Sequence, residues 1–323
     1  MSNSVYSNGR ASALQATLLG SDRINRMLDC ISVEDTLKVL SEVNFGDNIS
    51  IYSALDFEKL ILNEEQKLFD FIKSASPSED FKRFILCKND YHNAEAFVKA
   101  KHLKISVEDM LVSDGFIDKD LIKDAIFTDD YKSLPTIMEK TLSYCDAEFV
   151  SGKANGAKIS ASFVKAIYEE MFLASKTDKF LSLVFKTKVD CVNIGVALRL
   201  RNYSQAEEFF IPNGRLTTFE LKKLCEAPIE DLKILFKHSP IKDIVNRAFE
   251  EAENGKPLST FERLADYYPL SLINKLQYSS SGSIPFMKYV FMKLNDITNV
   301  RIILVGLING QDKQDIKNRL REE

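Results

Sequence analysis

Apolar residues along the chain recur at helical rather than strand spacing. Phe57, Leu60, Ile61, Leu68, Phe71 and Ile72 fall at steps that line one face of a helix, and Phe163, Val164, Ile167 and Met171 do the same. Phe219, Leu221 and Leu224, then Leu232, Leu235 and Phe236, continue the theme. No convincing period-two stretch stands out. The best strand candidate, FLSLVFKTKV at 180–189, runs straight into a helical segment and is read as helix. The breaks at 74–80, 151–158, 251–257 and 277–285 are brief. Only 12 Gly and 8 Pro occur in 323 residues, below the usual share of roughly 7% and 5%, so long uninterrupted elements are expected. Abundant Leu, Ala, Glu, Lys and Ile make those elements helices, and the predicted class is all-α. The segment 311–321 is predicted as a short closing helix. Asp312 and Asp315 come early and Lys317, Arg319 and Arg321 late, the order a helix dipole favours.

A faint pattern repeats three times over this helical background. Asp-x-x-Asn followed by an apolar stretch occurs at Asp90/Asn93, Asp190/Asn193 and Asp296/Asn299, at steps of 100 and 106 residues. An acidic pair leads each copy: Glu34-Asp35, Asp129-Asp130 and Glu230-Asp231. A Phe with a basic residue two positions on comes next: Phe57/Lys59, Phe163/Lys165 and Phe261/Arg263. The first two copies share a later turn, Ser113-Asp114-Gly115-Phe116-Ile117 against Pro212-Asn213-Gly214-Arg215-Leu216. Three markers in fixed order predict three modules, at about 1–115, 116–215 and 216–323. Positions i and i+3 share a helix face, and two readings of Asp-x-x-Asn stand side by side. Either Asp caps a helix or Asn bonds a neighbouring helix to pin the packing, or these faces ring a common axis and grip a partner. The acidic pairs are read as openings of helices, where carboxylates satisfy free N–H groups.

Charge and composition narrow the function. The net charge is −4 and the pI about 5.7. Neither the basic face that favours nucleic acid nor the polybasic segment that favours anionic lipid is evident. The best apolar run, 302–308, has seven residues, far short of the roughly 20 that span a bilayer. The polar N-terminal stretch has no signal-peptide core, so action from the water side of any membrane is expected. Five scattered cysteines, at 30, 87, 145, 191 and 225, predict free thiols in a reducing cytoplasm.

Catalytic chemistry is not assembled by these residues. The segment 152–158 is a residue short of a phosphate-binding loop and has no hydroxyl after its lysine. His92, His102 and His238 form no zinc pattern. No nucleophile, base and orienting group converge, so no cofactor or metal is expected, and a structural or coupling role is favoured over an all-helical enzyme.

The repeat residues carry a family resemblance. YSNGRASALQATLL (6–19), NDYHNAEAFVKAKHL (89–103), VDCVNIGVALRLRNYSQAEEFFIPNG (189–214) and NDITNVRIILVGLINGQDKQDIKNRL (295–320) resemble the C subunit of the V/A-type rotary ATPases, the relative of the eukaryotic V-ATPase d subunit. The last is the most specific, with Asn299, Arg301, Ile302 and Ile303, then Asn309-Gly310, and a closing Ile-Lys-x-Arg-Leu at 316–320. The chain departs from the family at its first helix, where only Arg10 and Arg23 stand out as basic. It departs again after the Phe marker: Tyr168 and Tyr267-Tyr268 fit the family's tyrosines, but copy one has Glu64-Glu65. The resemblance implies three similar helical modules around a pseudo-threefold axis, forming a funnel. It implies a non-catalytic rotor part on the cytoplasmic face, whose mouth receives the central shaft and whose narrow face sits on the membrane proteolipid ring. The repeat markers Asp90, Asn93, Asp190, Asn193, Asp296, Asn299 and Arg301 are then structural or partner-facing. The alternative is a generic helical-repeat adaptor, although such scaffolds use steps of about 34 to 47 residues.

Overall fold

A computed structural model describes residues 2–48, 57–113, 115–275 and 283–321. Among the described residues the regular elements are all helical, as the periodicity predicts. In chain order they are α1 (Ser2–Leu14), α2 (Gly20–Leu28), α3 (Val33–Ser41), α4 (Phe57–Ala75), α5 (Glu79–Leu103), α6 (Lys119–Thr128), α7 (Thr136–Val150) and α8 (Gly156–Ser175). There follow α9 (Lys179–Leu200), α10 (Tyr203–Ala206), α11 (Thr218–Glu226), α12 (Ile229–Leu235), α13 (Lys242–Glu253), α14 (Ser259–Lys275), α15 (Ile284–Ile308) and α16 (Lys313–Arg319). Short 3₁₀ turns join several of them. No helix among the described residues is long and apolar enough to cross a membrane.

Polar side chains set the helix starts. The Ser78 hydroxyl accepts the Phe81 N–H at 3.1 Å and opens α5. Asn155 accepts from Ala157 and Lys158 to open α8. Thr217 and Glu220 form a reciprocal capping box on α11, and Asp312 caps the closing helix α16. Each such cap contributes about 0.5–2 kcal/mol. The predicted breaks at 74–80, 151–158 and 251–257 each contain a helix-to-helix connection and overlap the ends of the flanking helices; of the fourth, residues 277–282 lie outside the described residues, as does Asp114 of the shared turn. The strand candidate at 180–189 is helical within α9. Pro269 stands inside α14, where the ring removes one backbone donor.

Some expectations change, among them Phe219 and Leu235, which are exposed. Glu34-Asp35 and Glu230-Asp231 do lie in the first turns of α3 and α12. Asp129 instead closes α6 in a left-handed conformation, φ 58°, and Asp118 caps that helix's start. The second acidic pair therefore ends a helix rather than opening one. Asp tolerates the left-handed well better than most residues. The apolar face of α8 is also narrower than its sequence suggests: Phe163 and Met171 are buried, while Val164 is exposed.

The chain folds as two compact units. One comprises residues 1–77, 190–210 and 214–323; the other comprises 78–189 with 211–213. In the first unit Leu60, Ile61, Leu68, Phe71 and Ile72 of α4 are buried, and Phe71 stacks on Phe286 of α15 at 5.2 Å. A second cluster in this unit joins Ile194 and Ala197 of α9 to Phe261 of α14, with Val245 and Phe249 of α13. In the other unit Tyr91, Ala94 and Phe97 of α5 pack with Ile122, Met138, Leu142 and Phe163. Each fully buried large apolar side chain contributes roughly 1.5–3 kcal/mol.

Candidate functional site

The three Asp-x-x-Asn pairs sit well inside α5, α9 and α15, with all six side chains buried. None caps a helix, so that part of the sequence expectation is corrected: the helices begin many residues earlier. Each carboxylate instead clasps a turn. Asp90 accepts the Phe116 N–H at 3.1 Å and the Ile117 N–H at 3.0 Å. Asp190 accepts the Arg215 N–H at 2.7 Å, the Leu216 N–H at 3.3 Å and the Arg215 Nε at 2.7 Å. Asp296 reaches back to the first part of the chain and accepts the Leu19 N–H at 2.9 Å.

The asparagines complete the clasp. The Asn93 amide pairs both ways with the Val112 backbone, donating to its carbonyl at 3.3 Å and accepting its N–H at 2.9 Å. Asn299 treats Arg321 the same way, at 3.1 Å and 2.9 Å. Asn193 is buried at the matching place in α9. An amide side chain offers donors and an acceptor, and an extended residue presents the complementary pair. The turn must come close. A Cβ on Gly115 would lie 2.6 Å from the Asp90 Cγ and 2.7 Å from the Leu86 carbonyl oxygen, so only glycine fits there.

The Phe markers occupy a second recurring position. Each Phe-bearing helix packs on a clasp helix: α4 on α15, α8 on α5, and α14 on the last turns of α9. The seams differ in chemistry. At the first, Arg301 pairs with Glu58 at 3.3 Å and Glu65 at 3.5 Å. At the second, Ser160 donates to Glu95 at 2.6 Å. At the third, Arg199 pairs with Glu262.

Sequence reading did not find the buried charges in these seams. Lys293 Nζ lies 2.5 Å from Glu64 Oε1, and the two residues are 3% and 4% exposed. Lys293 also donates to the Thr17 carbonyl at 3.2 Å and sits 5.0 Å from the Phe45 ring centroid. Glu64 Oε2 accepts the Gly46 N–H at 2.8 Å and Lys67 at 3.2 Å. Burial pushes the Glu64 carboxyl up, but the Lys293 charge and hydrogen bond, the Gly46 N–H and Lys67 together hold it below its ordinary value. In the α5/α8 seam, burial pushes the Glu170 carboxyl above its ordinary value, with Arg83 and the Tyr91 hydroxyl opposing. The one available signal was the pair Glu64-Glu65 standing where the resemblance leads one to expect tyrosines.

Other chemistry is limited. Burial raises the Cys145 thiol to about 11 and the Cys191 thiol to about 12, so both stay protonated and poorly nucleophilic near neutral pH. His102 stacks on Phe149 at 4.1 Å and has Nε2 2.8 Å from Asp146, tying α5 to α7. Among the described residues no group of three His, Cys, Asp or Glu is placed to hold a metal ion. One surface cleft of about 350 Å³ is lined by Lys233, Lys237, Lys242, Asn246 and Glu250. Another, of about 420 Å³, is lined by Arg201, Asn202, Tyr203, Ser204, Lys222 and Glu226.

Comparison with known proteins covers nearly the whole chain. A family model described as ATP synthase (C/AC39) subunit matches residues 7–319. The C subunit of the V-type sodium ATPase of Enterococcus hirae is 19% identical over 321 residues, covering 94% of each chain. The C subunit of the A-type ATP synthase of Methanococcoides burtonii is 22% identical and aligns over 99% of this chain and 94% of its own. The C subunit of the V-type ATP synthase of Thermus thermophilus is 24% identical over 218 residues, 65% of this chain and 67% of its own.

Proposed function

The chain belongs to the ATP synthase (C/AC39) subunit family, and from that premise we propose that it is a non-catalytic central-rotor subunit of a V/A-type ATPase. In this reading it links the central shaft to the membrane proteolipid ring from the cytoplasmic face. It passes torque between them as ATP hydrolysis or synthesis is coupled to H⁺ or Na⁺ movement. The three modules, 1–115, 116–215 and 216–323, close around a pseudo-threefold axis as a funnel.

The observation that carries the reading is the family match over residues 7–319, to subunits of rotary ATPases. The recurring clasp supports the modular part of it. The first clasp holds the link from copy one to copy two, the second the link from copy two to copy three. The third turns back to Leu19, at the start of copy one. The recurring seam follows the same cyclic order, because each Phe-bearing helix packs on the clasp helix of the preceding copy. Such exchange explains why compact units cut across the repeat boundaries.

Purifying membrane complexes through a tag on this chain, and weighing what comes with it, tests the reading. Shaft and proteolipid subunits in fixed ratio are expected. Recovery of unrelated clients without them would favour the helical adaptor.

A further inference from the structure

The α4/α15 and α5/α8 seams place different side chains at matching positions. Seven residues after the marker Phe stand Glu64 and Glu170; three residues before the clasp Asp stand Lys293 and Cys87. All four are buried. In α4/α15 the two positions meet as an ion pair, and every Glu64 oxygen is satisfied. In α5/α8 the same two positions hold a carboxylate and a thiol instead, and burial first, then the Asp90 and Glu170 charges, push the Cys87 thiol up.

Glu170 is 4% exposed. Its Oε1 accepts the Tyr91 hydroxyl at 3.2 Å. Its buried Oε2 has no hydrogen-bond partner among the described residues. The nearest cation is Arg83, with Nε 3.5 Å away and a side chain 34% exposed, so water screens it. Among the described residues the charged and titratable groups around the site are Arg83, Cys87, Asp90 and Tyr91 on α5, Glu169 on α8 and Lys188 on α9. None supplies what Lys293 supplies to Glu64, a buried ammonium in contact. A neutral carboxylic acid suits this position; an ionised one is left partly unsolvated.

We propose that the α5/α8 seam is a proton-operated joint, tight while Glu170 is a carboxylic acid and loosened when it releases its proton to water, while Lys293 keeps α4/α15 bolted. The folded Glu170 carboxyl lies above its ordinary value of 4.5. Its contribution is therefore complete below that pH and is lost as pH rises through the raised value. Glu64 lies below the same ordinary value, so its contribution is present above it and lost as pH falls through the depressed value. Near neutrality one seam is weakened and the other is at full strength. The joint is a property of the isolated chain and does not rest on the rotor reading.

Hydrogen exchange followed by mass spectrometry on the full chain at pH 4 and pH 8, corrected for intrinsic rates, tests this. Protection of amides in the facing parts of α5 and α8 is expected to fall about tenfold for each pH unit by which Glu170 is raised. Protection in α4 and α15 is expected not to fall. Glu170→Gln is expected to abolish the pH dependence. Unchanged protection in α5/α8, or a fall that persists in E170Q, overturns the proposal. Should E170Q not fold, Glu170→Met, which also removes the charge, carries the same expectation and the same refutation.

Discussion

Removing Lys293 should be among the most costly single changes in this protein. Lys293→Met leaves Glu64, 4% exposed, without its ammonium partner. Breaking a buried pair from one side costs about 3–5 kcal/mol. Glu64 keeps the Gly46 N–H at 2.8 Å and Lys67 at 3.2 Å, which puts the loss at the low end, about 3 kcal/mol. For a unit of this size that is a fall of roughly 6–12 °C in melting temperature. Glu64→Gln strands the cation instead, leaving it the Thr17 carbonyl at 3.2 Å and the Phe45 ring at 5.0 Å. The double variant Lys293→Met/Glu64→Gln removes both charges but keeps an acceptor for Gly46. It should therefore be more stable than the less damaging single, with a coupling of about 2 kcal/mol or more. Urea unfolding followed by circular dichroism reads all four proteins. The wild-type advantage over K293M should shrink as pH falls through the depressed Glu64 value. If K293M costs less than about 1 kcal/mol, or the two single losses simply add, the pair is not the bolt described above.

Further consequences concern the clasps and the clasp helices. Gly115→Ala pushes a methyl into Asp90 and the Leu86 carbonyl and should destabilise the unit by about 1–3 kcal/mol in the same unfolding assay. Asn299→Ala frees the Arg321 N–H and leaves its carbonyl with the Asn295 amide at 3.1 Å; it should cost about 1–2 kcal/mol and expose the segment 311–321 to limited proteolysis. Val196→Pro interrupts α9, at a cost of about 3 kcal/mol or more. In an assembled complex it should abolish coupling of ATP hydrolysis to ion transport and leave the ATPase of the isolated catalytic head unchanged. A changed head activity would contradict the non-catalytic role.

The helical class was legible because period and composition agree over long stretches. Leu60, Ile61, Leu68, Phe71 and Ile72 are buried as their spacing requires. The break at 74–80 was legible too, since Pro77 and Ser78 punctuate it. What Asp-x-x-Asn does was less so. Asp is a common helix cap, and only knowledge that Ser78 already caps α5 shows Asp90 to be interior. Asp129-Asp130 misled for a similar reason: the cap of α6 is Asp118, and nothing local separates an acid that opens a helix from one that closes it. The Glu64–Lys293 pair was out of reach. Its partners lie in α4 and α15, at opposite ends of the sequence, and charge patterning reports only neighbours three or four residues apart.

The most direct test is a cryo-microscopy map of the membrane complex that contains this chain. The account predicts it between the end of the central shaft and the proteolipid ring, turning with both, with the three segments superposable about one axis. Density for it on the stationary periphery, or within the catalytic head, would contradict the account.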